Sequence, residues 1–255
     1  MSEGLCVRRL HFSKEVISHL CEMLQGDFQP RSTSCRPLSV ALKFNARRLF
    51  QAGTGDMCNI TQNAARVCIQ QVTEIIFRRV SEFIGCDMSP ARQRERPIAS
   101  HRITGFPRVQ GAVDGTHVPL KAPRHAPVTH INRKRFHSLN VMILCDADLQ
   151  IMNVNVDHRG SAHDTFVLRH SNLEDSFTRA QQGPGWVLSD EGYPLKPWLM
   201  TSYHRTNSAA QERYYHACVC TRQVVERTIG VLESCFRTDR GELCSTRLSK
   251  WRGLW

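Results

Sequence analysis

Ser138-Leu139-Asn140-Val141-Met142-Ile143-Leu144-Cys145 is a near-continuous apolar run without glycine or proline. It is too short for a typical helix and rich in Val, Leu and Ile, which suits a strand buried at the centre of a sheet. Asp146-Ala147-Asp148 follows as a turn, and the next run alternates Met152, Val154 and Val156 against Asn153, Asn155 and Asp157. That period of two belongs to a half-buried strand, so the two runs make a hairpin. Upstream, Ala112-Val113-Asp114 with Thr116-His117-Val118 reads as a first strand, in which Pro119 argues for an edge position, a bulge or an early stop. Downstream, Gly160-Ser161 starts a helix through Val167 and Leu168, and Gly183-Pro184-Gly185 resets the chain into the strand Trp186-Val187-Leu188. From Glu212 the remainder is helical, with Val225, Ile229, Leu232 and Phe236 as one buried stripe. Strand, hairpin, helix, strand, helix describes an α/β layer over residues 109–240.

Ahead of this layer, residues 1–83 read as a smaller all-helical region. Val40, Leu42, Phe44, Leu49 and Phe50 precede a break at Gly53-Thr54-Gly55, and Thr61 caps a helix with the stripe Ala64, Val67, Cys68, Val72, Ile75, Ile76. Helix, tight turn and helix, with Gln62, Asn63, Arg66 and Gln70 outward, outline a helix-turn-helix, and a plain helical bundle fits the same pattern. Residues 84–108, with Ser89-Pro90, the charged Arg92 to Arg96, Pro97 and Gly105-Phe106-Pro107, read as a linker.

The 34 basic residues exceed the 23 acidic ones by 11, a surplus that attracts polyanions, DNA or RNA first among them, although a basic protein without such a role has the same balance. Met1 to Phe12 is interrupted by charge, so no signal peptide is expected, and no run approaches the roughly 18 apolar residues of a membrane helix. Eleven cysteines without a secretory signal imply reduced thiols in the cytosol or nucleus. Cys218-Val219-Cys220 after His216 lacks a paired zinc spacing and reads as helix packing, and His158 with His163 lacks a metal-nuclease spacing.

Chemistry is carried by three acids flanked by core residues: Asp114 in Ala-Val-Asp-Gly, Asp190 in Val-Leu-Ser-Asp and Glu226 in Val-Val-Glu. A carboxylate in such a setting needs a partner, which a cation can supply. Asp114 and Asp190 fall at strand ends, the edge where α/β sheets collect ligands, and Glu226 lies about 100° round the last helix from Val225. Hard carboxylate oxygens select magnesium or manganese, and two such ions suffice for phosphodiester cleavage. Lys121, Arg124, Arg133, Lys134 and Arg135 form the densest cationic stretch, placed to neutralise phosphates near that edge or simply solvated as a loop. Trp186, Tyr193 and Trp198 read as core and turn packing.

Ala112 to Val118, Ile131-Asn132-Arg133-Lys134, Phe136 to Asn140, Gly160-Ser161-Ala162-His163-Asp164, Ser189 to Leu195, Pro197 to Met200, and Val225-Glu226 with Gly230 resemble, in this order, the DDE domain of the PIF/Harbinger transposases and of the Harbinger transposase-derived nuclease family. The resemblance covers roughly residues 39–237. It implies a ribonuclease-H-like mixed sheet flanked by helices and a metal-dependent endonuclease that hydrolyses DNA with Asp114, Asp190 and Glu226 as the catalytic, magnesium- or manganese-binding triad. It also implies Asp164 as a metal residue, where a first-turn helix acid facing the dipole is the plainer reading. Further implications are residence in the nucleus and also the cytoplasm, a Myb/SANT-like nuclear protein partner and homo-oligomers. The alternative is a domesticated, non-catalytic DNA-binding adaptor acting with that partner. Ser189 and Arg135 stand where the family has glycine, His130 replaces an aromatic, and residues 241–255 form an atypical tail, as of a truncated chain, where relatives continue with further helices.

Overall fold

The computed structural model describes residues 3–28, 35–46, 51–123, 127–179 and 185–235. They fall into two compact units, 3–83 with 232–235, and 84–231.

The second unit is built on one mixed sheet of β1 (Val109–Pro119), β2 (Ser138–Cys145), β3 (Ile151–Arg159), β4 (Trp186–Ser189) and β5 (Leu199–Thr201), in spatial order β3-β2-β1-β4-β5. β1, β2 and β3 pair antiparallel, and β4 runs parallel to β1 and β5. All eight residues of β2 are buried, as its unbroken apolar run requires of a strand with neighbours on both sides. The hairpin to β3 is present. Asp146 closes it, its Oδ1 accepting from the N–H groups of Asp148 and Gln150, each at 3.0 Å. β1 is the central strand and not an edge, yet it stops at Pro119. β4 pairs only with Val109–Ala112, so Pro119 falls where β1 is bonded on one side alone and a missing N–H costs little.

Alternation divides the core in two. Val113, Leu144 and Val187 point to one face, where they pack with Val167 and Leu168 of α8 (Asp164–Arg169) and Leu173 and Phe177 of α9 (Leu173–Arg179). Their neighbours Ala112, Cys145 and Leu188 point to the other, against Cys218, Val224 and Val225 of α10 (Ala209–Cys235).

Three local expectations change. The helix expected from Gly160-Ser161 begins at Asp164, with His163 as its N-cap, and Gly160 instead lies tight against the start of β2: a Cβ there would sit 2.8 Å from the Ser138 carbonyl oxygen. On α10 the buried stripe is Cys218, Thr221, Val224, Val225 and Thr228; Ile229 and Leu232 are only half-buried, and Phe236 lies outside the described residues. Two threonines enter this core because their hydroxyls are satisfied there, Thr221 by Thr104 at 2.7 Å and Thr228 by the Val224 carbonyl at 2.9 Å. The stretch 84–108 is no bare connection but carries α7 (Pro90–Thr104), with Ser89 as its cap, Pro90 in the first turn and a left-handed Gly105 behind it. Its polarity concealed a packed helix. Arg96 is 5% exposed, donates to the Asp87 carbonyl at 2.7 Å and lies 4.0 Å from Asp146, which supplies the partner a buried cation needs.

The first unit is helical throughout: α1 (Glu3–Leu10), α2 (Lys14–Leu24), α3 (Cys35–Ala46), α4 (Gln51–Cys58), α5 (Gln62–Arg78) and α6 (Val80–Phe83). Thr61 caps α5 by accepting from the Ala64 N–H at 3.2 Å, as its sequence position predicts. Gly53-Thr54-Gly55 is not a break but lies inside α4. Gly55 is needed for closeness, since a Cβ would stand 2.8 Å from the Ile60 carbonyl oxygen. The buried face of α5 is Ala65, Ile69, Val72 and Ile75, rotated from the expected stripe so that Val67 and Ile76 are exposed. Among the described residues no helix is long and apolar enough to cross a membrane.

Candidate catalytic site

Strand parity sets two of the acids. Asp114 follows Ala112 by two residues and Asp190 follows Leu188 by two, and Ala112 pairs in register with Leu188. Both carboxylates therefore leave the sheet side by side, toward α10. On α10 the helical period carries the core position Cys218 four residues on to Arg222 and four more to Glu226. The Arg222 guanidinium joins the two elements, Nη1 lying 2.9 Å from Asp114 Oδ2 and Nη2 lying 2.5 Å from Glu226 Oε1. Asp114 Oδ1 accepts from the Gly115 N–H at 2.8 Å, and Asp190 Oδ1 accepts from the Gly192 N–H at 3.1 Å.

Burial pushes the Asp114 carboxyl up from the usual range to about 6, with the charges of Asp190 and Glu226 acting the same way and the Gly115 N–H and Arg222 opposing them. Asp190 is also raised, again chiefly by burial, with Asp164 and Glu191 adding to it. One guanidinium thus faces three carboxylates in a partly desolvated place, and the field there calls for more positive charge.

Asp164 stands on the other face of β1. Its Oδ1 accepts from Asn140 Nδ2 at 2.7 Å and fills the place of a side chain at Gly115, where a Cβ would come within 2.7 Å of it. Its charge also acts on Asp190, where it helps to raise the carboxyl. Among the described residues no three His, Cys, Asp or Glu side chains converge as a metal-holding group, since Asp114 and Glu226 are drawn to Arg222 instead of to a common centre.

Lys121 is exposed just beyond β1, Arg124 lies outside the described residues, and Arg133, Lys134 and Arg135 project from the loop before β2. Asn132 builds that loop. It is buried, its Oδ1 accepts from the Lys134 and Phe136 N–H groups at 2.9 and 3.3 Å, and its Nδ2 donates to Ser138 at 3.0 Å. Arg135 takes a left-handed backbone, φ 63°, a conformation that favours glycine. Arg133 Nη2 lies 2.9 Å from His163 Nδ1, which brings the cationic tip to the start of α8 and Asp164.

Arg222 escaped notice in the sequence, and Asn140 and Asn132 were given no role there. Arg222 was signalled by its four-residue spacing from Glu226, and Asn140 by being a lone amide in an apolar strand. Tyr193 does pack in the core, 4% exposed, but its hydroxyl has no hydrogen-bond partner among the described residues, and burial with the nearby charges of Asp164, Asp114 and Asp190 pushes its ionisation up. Removing an unsatisfied buried hydroxyl relieves a cost of about 1 kcal/mol. Tyr193→Phe should raise the melting temperature of the cation-free protein by a few degrees in a thermal scan; a fall of similar size would show that the hydroxyl is held.

Residues 113–250 match the model of the family described as DDE superfamily endonuclease. The Homo sapiens protein named "Putative nuclease HARBI1" is 33% identical over 232 residues, 89% of this chain and 66% of its own length. Its Xenopus laevis namesake is 30% identical over 255 residues, 98% of this chain and 74% of its own. The Arabidopsis thaliana "Protein ALP1-like" is 23% identical over 216 residues, 75% and 53% of the two chains. The chain thus spans slightly under two thirds of the mammalian relatives it matches. No solved structure gives a significant match.

Proposed function

Since this chain belongs to the DDE superfamily endonucleases, in their Harbinger transposase-derived branch, we propose that it hydrolyses DNA phosphodiester bonds at a divalent-cation site formed by Asp114, Asp190 and Glu226. The observation that carries this reading is that Asp114 and Asp190 each stand two residues beyond the paired Ala112 and Leu188, beside an α10 face that presents Glu226. The strand order β3-β2-β1-β4-β5, with antiparallel pairs on one side and parallel pairs on the other, supports a ribonuclease-H-like fold.

The donors suit a hard cation, being all carboxylate oxygen, from the middle of β1, the end of β4 and the face of α10, around a centre short of positive charge. Asp164 would serve from the opposite side of β1, through Asp190. Magnesium or manganese, when bound, supplies Lewis acidity toward water and phosphate oxygen. The chain itself orients and neutralises. Backbone N–H groups of Gly115 and Gly192 fix one oxygen each of Asp114 and Asp190, and the second oxygen of Asp114 faces Arg222. Lys121, Arg124, Arg133, Lys134 and Arg135 would contact the DNA backbone without reading sequence. Work in the nucleus and also the cytoplasm, with a Myb/SANT-like protein and in homo-oligomers, belongs to the same proposal.

Nicking of supercoiled plasmid tests the reading. Conversion in magnesium or manganese but not in excess chelator supports hydrolysis, and absence of conversion in either condition rejects it. One observation favours the second reading, a DNA-binding adaptor: Arg222 already neutralises two of the three acids. An adaptor would bind DNA equally with and without the cation and nick nothing.

A further inference from the structure

Arg222 is 15% exposed in its side chain, and both its ion pairs fall on carboxylates of the proposed site. A guanidinium held this far from water persists only where its partners repay the lost hydration. Here the partners are Asp114 Oδ2, from the centre of the sheet, and Glu226 Oε1, one turn along the same helix. Asp114 has its other oxygen committed to the Gly115 N–H, so Oδ2 is the oxygen it can offer a cation. The guanidinium therefore sits on the donors that a hard divalent ion requires, and both cannot hold them at once.

We propose that Arg222 is an internal counter-ion that stands between Asp114 and Glu226 in the cation-free protein and must release them when a divalent cation is loaded. The inference rests on the reading of Asp114 and Glu226 as cation ligands. The arrangement lets the long arginine side chain, anchored on a rigid helix, swing aside while Glu226, half exposed, turns inward. It also explains how carboxylates crowd together without unfolding the sheet edge: one cation is built in. The cost is reciprocal. Whatever the pair contributes to the empty protein is subtracted from cation affinity.

Manganese binding to the full chain without DNA, followed by the loss of the free-ion paramagnetic resonance signal and by calorimetry, tests this on the wild type, Arg222→Gln and Arg222→Lys. Arg222→Gln should bind manganese at least about tenfold more tightly, since competition of this kind typically spans roughly 5- to 150-fold. Arg222→Lys keeps the charge but loses the two-pronged bridge, and should fall between the two. In chelator Arg222→Gln should melt at a lower temperature than the wild type, and saturating manganese should close the gap. Equal or weaker manganese binding by folded Arg222→Gln overturns the counter-ion role; should that variant fail to fold, affinity of Arg222→Lys no tighter than wild type does so. No manganese binding by any of the three overturns the site itself.

Discussion

Asp114→Asn is expected to lower cation-dependent nicking of supercoiled DNA by at least about a thousandfold, while DNA affinity in chelator changes by less than about threefold. The amide keeps the shape of the side chain and its oxygen can still accept from the Gly115 N–H. What disappears is the charge, and with it both the pull on a divalent cation and half of the Arg222 bridge. Loss of fold does not account for such an outcome, because burial already disfavours the ionised form that the substitution removes. DNA affinity should stay because, on the proposed reading, it comes from Lys121 and Arg133 to Arg135, which are exposed. Plasmid nicking beside filter binding reads both quantities, and wild-type nicking by Asp114→Asn would rule out Asp114 as a ligand.

The second large effect is on stability against pH. Asp114 titrates near 6 in the folded protein and at the ordinary 3.8 when unfolded, so between those values the folded state holds the extra proton. Stability contributed by this group is therefore full below about 4, falls as pH rises toward 6, and is lacking above it. Over the whole window the loss is about 3 kcal/mol, since each tenfold difference in proton affinity between the folded and unfolded states corresponds to about 1.4 kcal/mol. Asp190, raised by burial, acts in the same sense, whereas His117, held down by burial, opposes it at low pH. Comparison with Asp114→Asn isolates the effect. In urea and chelator the variant should be the more stable protein at pH 7, and its advantage should shrink steadily to pH 4. A difference that stays flat across that range would contradict the proton linkage.

Much of the α/β unit was legible because strands announce themselves locally. The unbroken run of β2 and the alternation of β3 depend on which residues meet one sheet, and a period of two records this directly. The position of Asp114 was not legible: the sequence put it at a strand end, whereas it lies at the middle of β1, and its place beside Asp190 depends on the register of β1 against β4. α7 was not, since its Pro90, Pro97 and four arginines look solvated until Asp146 appears as the partner of Arg96. The stripe of α10 was misread for a related reason. Hydropathy places Ile229 inside and Thr221 outside, whereas the hydroxyls of Thr221 and Thr228 find acceptors in the core and those residues enter it.

The amino-acid sequence by itself determined the strands β1 to β4 as runs of residues, the presence of Asp114 in the first of them and of Asp190 directly after the fourth, and the α10 helix that carries Glu226. Those features follow from periodicity and neighbouring residues along the chain. Only the tertiary structure decided that Arg222 lies between Asp114 and Glu226, that Asp164 stands behind Gly115, and that Tyr193 buries a hydroxyl without a partner among the described residues. Each of these depends on the distance between side chains from elements far apart in sequence, and the strength and sign of an electrostatic interaction are set by that distance and by the water excluded around it.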